Sequence, residues 1–230
     1  MSHGKPFTLY NSQLGPNGWK VVFLLQELGL EYENVFLDLA KKEQKSPEHL
    51  KYNPNGRIPT LIDHKNGDFA IWESNAIITY IADTYDKEGK FHFLTGPEKY
   101  EQTQWLYFQA SGQGPYYGQL VGSFRVPAAA ERYRNEAKRV ISVLDSVLSK
   151  SGSDWLVGNK YSIADMSFII WNVLATTLLL ENYDMAKEAP YADAWMKRMM
   201  ARPAIKRAFS EKEAVTKAKE EKDAREKVAA

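Results

Sequence analysis

The chain has 230 residues, enough for two modest domains or one large one, and its 44% hydrophobic and 26% charged content is ordinary for a globular protein. Its formal net charge of +1 gives no reason to expect a nucleic-acid partner or an acidic membrane surface. Because it contains no cysteine, disulfides, cysteine-ligated metals and a thiol nucleophile carried by the protein itself are excluded.

Membrane and metal sites are also not expected. The longest apolar run, residues 168–180, is shorter than the roughly 20 residues that span a bilayer. No apolar secretory segment leads the chain, so we predict a cytoplasmic location. The few histidines show no ligand spacing, so we expect no bound metal.

The first 85 residues alternate short strands with helices, which predicts a mixed sheet covered by helices. Apolar periodicity and the turn pair Asn66-Gly67 set the element boundaries. The predicted elements are strands at 7–10, 32–39, 60–63 and 69–71, helices at 17–28 and 73–85, and a helix start at Ser46-Pro47-Glu48.

The second half of the chain is predicted to be all-helical, with helices at 100–124, 128–150, 162–180 and 190–200. Residues 86–98 are rich in charge, glycine and proline, which predicts a linker. The predicted organisation is one domain at 1–85, the linker at 86–98, a helical domain at 99–208 and a charged tail at 209–230.

Two further features of the helical half are interpreted as structural. Ser162 and Asp165 have the spacing of a capping box, so Asp165 is predicted to cap a buried helix, with a loss of about 0.5–2 kcal/mol if the cap is removed. The tail from residue 211 carries six basic and six acidic residues, which predicts a marginal, solvated helix.

Residues 53–74 offer two ways to hold a small peptide-like ligand. Ile58 precedes Pro59, so its backbone is extended and can pair like an edge strand, and the bond between them is a candidate for the cis form. Glu73 and Ser74 stand at a helix start, where a hydroxyl and N–H groups bind a carboxylate. This stretch predicts a site for a zwitterionic, peptide-like molecule.

Several segments together resemble the glutathione transferases. They are Leu9-Tyr10, residues 16–21 (PNGWKV), 53–59 (NPNGRIP), 72–78 (WESNAII), 155–158 (WLVG) and 161–165 (YSIAD). The Pro-Asn-Gly after the first strand resembles the motif of one branch of that family, which includes the fungal nitrogen regulator and bacterial disulfide-reducing relatives. The resemblance covers residues 6–208. It implies a thioredoxin-like α/β N-terminal domain, an all-α C-terminal domain, a homodimer and a site between the domains.

The resemblance also implies roles for individual residues. Ile58 would hold the cysteinyl part of glutathione through its backbone, with Pro59 as the cis-proline. Glu73 and Ser74 would bind the γ-glutamyl part. The other implied contacts are Arg57, Gln44 near the glycyl end, and Arg132 reaching the ligand of the second subunit. Surface charge, helix capping and plain strand structure remain the alternative interpretations for these residues.

Asn17, at the start of the first helix, is the candidate that holds the glutathione thiolate. Its amide can donate to sulfur, although an N-cap role is the alternative. Many relatives carry Ser or Thr immediately before Pro-Asn-Gly, and this chain has Gly15. Ser12 and Tyr10 are therefore kept as substitute donors, although Tyr10 is more often a packed residue.

The acceptor site is expected on the C-terminal helices. Tyr116 is the candidate substrate contact, because its hydroxyl needs a polar partner. Core packing is the preferred interpretation for Phe108 and Trp171, and Tyr117 and Phe124 stay open. Gly112, Gly114, Pro115 and Gly118 are expected to loosen the helix around them.

Three functions follow from the resemblance. The first is reduction of disulfides or hydroperoxides by glutathione, which supplies the thiolate that this chain lacks. The second is conjugation of glutathione to small electrophiles. The third is a non-catalytic regulatory protein on the same fold, against which stands the lack of a long Asn/Gln-rich extension in the sequence.

Overall fold

The computed structural model describes residues 4–123 and 126–229, which form two compact units. The first unit contains the chain up to Ile81 together with the segment from Arg202 onwards, and the second runs from Ala82 to Ala201. This differs from the predicted organisation mainly at the carboxyl end, where the segment predicted as a separate tail belongs to the first unit.

A four-stranded mixed sheet forms the centre of the first unit. Its strands are β1 (Phe7–Asn11), β2 (Tyr32–Phe36), β3 (Thr60–Asp63) and β4 (Phe69–Trp72), in the order β2-β1-β3-β4. β1 runs parallel to β2, and β3 runs antiparallel to both β1 and β4. The predicted mixed sheet is therefore confirmed, with β2 ending before the expected 39.

Three helices of the amino-terminal part accompany this sheet, namely α1 (Pro16–Glu27), α2 (Pro47–Leu50) and α3 (Ser74–Tyr85). The turn between β3 and β4 is longer than the predicted Asn66-Gly67 pair. The Asp63 side chain accepts bonds from the N–H groups of Lys65 and Asn66, which forms a 3₁₀ turn at His64–Asn66. Gly67 follows with φ +63°, a left-handed conformation that glycine adopts without strain.

The C-terminal helix α10 (Pro203–Ala229) returns to the first unit and packs along α1. The rings of Phe23 and Phe209 lie 5.5 Å apart. The carboxylate of Glu211 accepts hydrogen bonds from the Tyr32 hydroxyl at 2.6 Å, from Gln26 Nε2 at 3.0 Å and from Asn34 Nδ2 at 3.1 Å. The expectation of a solvated helix from residue 211 is therefore wrong for the beginning of that segment.

Replacing Glu211 by alanine is expected to lower the free energy of unfolding by about 1–3 kcal/mol, because partly buried donors lose their acceptor. Glu213→Ala on the same helix is the control, since Glu213 is exposed and its loss should change stability by less than about 0.5 kcal/mol. Urea unfolding followed by circular dichroism measures both variants. Equal stability of the two would contradict the anchoring role of Glu211.

The described part of the second unit is helical, as predicted. Its helices are α4 (Pro97–Phe108), α5 (Gly114–Ser123), α6 (Pro127–Ser151), α7 (Ile163–Leu174), α8 (Met185–Glu188) and α9 (Pro190–Met200). A π-helical turn at Gln109–Gln113 joins α4 to α5, and a second at Ala175–Leu179 extends α7. The predicted helix at 100–124 is thus interrupted near Gly112 and Gly114, and its last residue, Phe124, lies outside the described residues.

The predicted capping box is present at the start of α7, and Asp165 does more than cap it. The box pairs the side chains of Ser162 and Asp165 with each other's backbone N–H groups. The Asp165 carboxylate also accepts from Leu156 N at 3.0 Å and from Trp195 Nε1 at 2.9 Å. Asp165 is fully buried. Through these two hydrogen bonds it connects α7 to α9 and to the preceding loop.

The predicted linker is a hydrogen-bonded loop. Asp86 accepts from the N–H groups of Lys90 at 2.9 Å and Phe91 at 2.7 Å, and its other contact is Nδ1 of His92 at 3.0 Å.

Among the described residues, no helix is long and apolar enough to cross a membrane.

Candidate active site

The start of α1 is formed by Gly15 and Pro16. Gly15 is the N-cap residue and has no side chain with which to cap the helix, and Pro16 is the first helical residue. Asn17 is the second helical residue and is half-buried, so the alternative interpretation of Asn17 as the N-cap is wrong. The first N–H groups of α1 form an electropositive end suited to an anion, and Asn17 belongs to this first turn.

Gly15 allows this helix start to rest against Ile58. A Cβ atom at position 15 would lie 2.8 Å from Cδ1 of Ile58 and 3.4 Å from Cβ of Ser12. The first of these distances is closer than carbon atoms approach, so a side chain here requires Ile58 to move. Ile58 thus occupies the space that a side chain at position 15 would need, and Ser12, only 5% exposed, lies beside Gly15.

The Ile58–Pro59 peptide bond is cis, as predicted. Pro59 is buried, Ile58 is half-buried and Arg57 is exposed. Ile58 lies next to the start of α1, where its Cδ1 atom faces Gly15.

Two buried residues that the sequence did not single out brace the loop before Ile58. Asn53 donates from Nδ2 to the carbonyl oxygen of Arg57 at 2.8 Å and to Oγ1 of Thr60 at 3.0 Å. His49 Nε2 lies 3.1 Å from the same Thr60 hydroxyl. The Asn-Pro-Asn-Gly turn was the available signal for Asn53, whereas nothing in the sequence distinguished His49 from a surface histidine.

Gln44 lies against the same loop. A Cβ atom on Gly56 would be 3.0 Å from the Gln44 carbonyl oxygen, and His49 Nδ1 lies 2.9 Å from that oxygen. The side-chain Oε1 of Gln44 is buried and makes no hydrogen bond within the described part of the chain. Gln44 thus joins the group that contains Arg57 and Ile58.

The Glu73-Ser74 pair has the geometry of an anion site at a helix start. Glu73 adopts φ +69°, an uncommon conformation for a residue with a side chain and one that concentrates at functional sites. Ser74 is the first residue of α3 and is 8% exposed, while Glu73 itself is exposed. The first N–H groups of α3 follow directly and favour a bound carboxylate.

Tyr10 does not fit the role of a substitute thiolate donor. Its ring packs 5.3 Å from the ring of His49 and 6.0 Å from that of Tyr52. Burial raises the pKa of Tyr10, followed by the effect of Tyr52. The packed interpretation therefore applies to Tyr10, and Ser12 is the hydroxyl that lies beside Gly15.

Arg132 and Tyr116 belong to the second unit. Arg132 is exposed on α6. Tyr116 is half-buried on α5, with its ring 6.2 Å from that of Tyr133. Tyr117 is fully buried and donates to the Ala137 carbonyl oxygen at 3.2 Å, so it is a core residue.

The remaining aromatic candidates are packed. The Phe108 ring lies 5.7 Å from that of Trp105, and the Trp171 ring lies 6.2 Å from that of Tyr117. Across residues 4–123 and 126–229, no group of three acidic or histidine side chains is placed to hold a metal ion.

Two parts of the chain match known domain families. Residues 5–83 match the glutathione S-transferase N-terminal domain, and residues 124–213 match the glutathione S-transferase C-terminal domain. A thioredoxin-like sheet followed by a helical unit is the architecture of that class. The chain belongs to the glutathione S-transferase family.

Individual relatives place it in the Ure2-like branch. Glutathione S-transferase 2 of Schizosaccharomyces pombe is 50% identical, over 94% of this chain and 98% of the relative. The glutathione transferase URE2P6 of Phanerochaete chrysosporium, solved with oxidized glutathione, is 55% identical over 94% of this chain and 100% of its own, with a TM-score of 0.89. Ure2p5 of the same fungus, cocrystallized with 1-(S-glutathionyl)-2,4-dinitrobenzene, is 49% identical over 94% of this chain and 98% of its own, with a TM-score of 0.85.

Proposed function

We propose that this glutathione transferase uses glutathione to reduce disulfides or hydroperoxides. Asn17 and the start of α1 would stabilise the glutathione thiolate, and the backbone of Ile58 would hold the cysteinyl part. Glu73 and Ser74 would bind the γ-glutamyl part, with Arg57 and Gln44 nearer the glycyl end. The observation that carries the proposal is the start of α1, where the N-cap residue Gly15 has no side chain and lies against Ile58.

The free energy available at the start of α1 is sufficient to lower the pKa of the glutathione thiol without a general base. Lowering a thiol pKa by one unit corresponds to about 1.4 kcal/mol. A helix start contributes about 0.3–1 kcal/mol, and up to about 2 kcal/mol when it is partly buried. A hydrogen bond to a charged group adds about 1.5–3 kcal/mol. Asn17 and α1 together can therefore shift the thiol toward the thiolate near neutral pH.

Two glutathione molecules balance each reduction. With a disulfide, the first thiolate attacks one sulfur and releases the other as a thiol, and the second attacks the mixed disulfide to give oxidised glutathione and the second thiol. With a hydroperoxide, the first thiolate takes the terminal oxygen and releases an alcohol. The second glutathione then displaces water from the resulting sulfenic acid. All sulfur atoms in these steps come from glutathione and acceptor, since this chain has no cysteine.

The test is a coupled assay with glutathione reductase, in which NADPH consumption follows turnover with hydroxyethyl disulfide or cumene hydroperoxide. We expect turnover with at least one acceptor and a measurable heat of glutathione binding by calorimetry. Binding without any turnover would instead favour the regulatory protein. The absence of both binding heat and turnover would overturn the glutathione site itself.

Conjugation is the second candidate, and two relatives favour it. One bears the name of a glutathione S-transferase, and another was crystallised with a dinitrobenzene conjugate of glutathione. In this reaction the thiolate forms the carbon–sulfur bond and the electrophile loses its leaving group as an anion. Turnover of 1-chloro-2,4-dinitrobenzene that exceeds both reductions would assign conjugation as the main activity.

We further propose a cytoplasmic homodimer in which Arg132 reaches the partner's ligand and Tyr116 contacts the acceptor. Arg132 is exposed on α6, and Tyr116 is half-buried with its ring against Tyr133. The mass in solution tests the dimer. A rise in the KM for glutathione in Arg132→Ala, with unchanged mass, tests the contribution from the second subunit.

A further inference from the structure

Lys20 is an unusual residue for the centre of α1. Only 2% of it is exposed, and its neighbours Trp19, Val21 and Val22 are core residues. Lysine is rarely buried to this extent, because its ammonium group loses hydration. A hydrophobic side chain would fill the same place at lower cost. A lysine here therefore indicates a role beyond packing.

The ammonium of Lys20 connects α1 to the start of α3. Nζ donates to Oδ1 of Asn75 at 3.2 Å, and Asn75 is the second residue of α3, directly after Ser74. Lys20 also follows Asn17 by three residues, a spacing that places both side chains on one face of α1. A buried cation on α1 thus touches the helix start that would bind the γ-glutamyl carboxylate.

We propose that Lys20 is a positioning residue for glutathione: through Asn75 it orients the start of α3, and its positive charge couples carboxylate binding to the uptake of a proton. This inference rests on the proposed glutathione site and adds a residue and a pH dependence to it. Lys20 would act from beneath the helix start, without contacting the reacting sulfur.

Electrostatics near Lys20 support the coupling. Burial lowers its pKa to about 7, and the opposing effect of Glu73 raises it. Both the ammonium and the amine are therefore populated near neutral pH. A carboxylate arriving at the start of α3 favours the ammonium, so binding takes up a proton. The affinity for the carboxylate is then highest below pH 7, where Lys20 is already charged in the free protein. It falls as the pH rises above 7, until Lys20 is neutral in the complex as well.

Other titrating groups around α1 belong to different contacts. Lys212 of α10 donates to the carbonyl oxygen of Gln13 at 3.0 Å, and Arg202 pairs with Glu27 at the other end of α1. On β1, Tyr10 packs against His49. These groups are unchanged in variants of Lys20, so their contributions cancel when the variants are compared with the wild type.

The test uses S-methylglutathione, a thioether without a thiol proton, and calorimetry in buffers of different ionisation enthalpy. For the wild type at pH 7 we expect an uptake of about half a proton attributable to Lys20. Lys20→Met should lose this uptake and bind about tenfold more weakly at pH 6.5, since one pKa unit of coupling corresponds to a factor of ten. Lys20→Arg stays charged and should retain affinity at pH 8.5 without the uptake.

Lys160→Met is the matched control. Burial also lowers the pKa of Lys160, but this lysine lies in the second unit and donates to the carbonyl oxygens of Gly89 and His92. Its variant should bind as the wild type does. If Lys20→Met does not fold, the comparison of the wild type with Lys20→Arg, which should bind without the proton uptake, still decides. Ligand binding with no proton uptake overturns the inference and leaves the glutathione site standing, whereas no heat at any pH overturns the site itself.

Discussion

Replacing Asp165 by alanine is expected to lower the free energy of unfolding by about 3–5 kcal/mol, more than the loss of a helix cap. The fully buried carboxylate accepts from the backbone of Leu156 and Ser162 and from the indole of Trp195. Alanine leaves these buried donors without an acceptor, and each costs about 1–3 kcal/mol. The shift in the urea unfolding midpoint, followed by tryptophan fluorescence, measures the loss.

Asp184→Ala is the matched control for this prediction. Asp184 is the N-cap of α8 and is exposed; it accepts from the N–H of Ala186 at 3.2 Å and forms a surface ion pair with Lys187 at 3.3 Å. Its removal should cost about 1 kcal/mol or less. A similar small loss in Asp165→Ala would mean that the contacts with Leu156 and Trp195 contribute nothing beyond ordinary capping.

Asn17→Ala is expected to lower the turnover number for glutathione-dependent reduction by about ten- to a hundredfold, with little change in glutathione affinity. The amide would stabilise the thiolate by a charge-assisted hydrogen bond of about 1.5–3 kcal/mol, and each 1.4 kcal/mol corresponds to a factor of ten. Asn17→Asp keeps the size of the side chain but replaces the donor by a negative charge. It should therefore lower turnover further.

The pKa of the bound thiol separates this role from a structural one. Without the Asn17 donor the thiol pKa should rise, so the thiolate absorbance of bound glutathione and the rate should both appear at higher pH. Ser12→Ala is the companion variant, because Ser12 lies beside Gly15. Unchanged turnover in Asn17→Ala together with a loss in Ser12→Ala would assign the sulfur contact to Ser12.

Local sequence signals predicted much of the fold. Alternating apolar strands and the helix at 73–85 lead to the mixed sheet, and the Ser162–Asp165 spacing locates the start of α7. Tertiary contacts decided the rest. The Glu/Lys-rich composition of α10 gave no sign that Glu211 would meet Tyr32, a residue about 180 positions earlier in the chain. A π-helical turn likewise depends on packing, although the glycines near 112 marked its place.

In the candidate site, too, some features could be predicted from the sequence and others depended on tertiary contacts. The cis bond before Pro59 and the place of Ser74 at the start of α3 could be predicted from the sequence, whereas the left-handed conformation of Glu73 could not. The supporting residues His49, Asn53 and Lys20 were not predicted, because their burial depends on elements distant in the chain. The close approach of Ile58 to Gly15 likewise depends on the three-dimensional structure.

The packing of α10 on α1 also has a consequence for synthesis. A nascent chain that ends near residue 85 has made the whole sheet, yet the partner of Phe23 and the acceptor for Tyr32 have not been translated. The N-terminal unit therefore cannot complete its fold on the ribosome until α10 emerges, whereas the helical unit, at 82–201, is fully synthesised earlier. The N-terminal unit is synthesised first but should complete its fold after the helical unit.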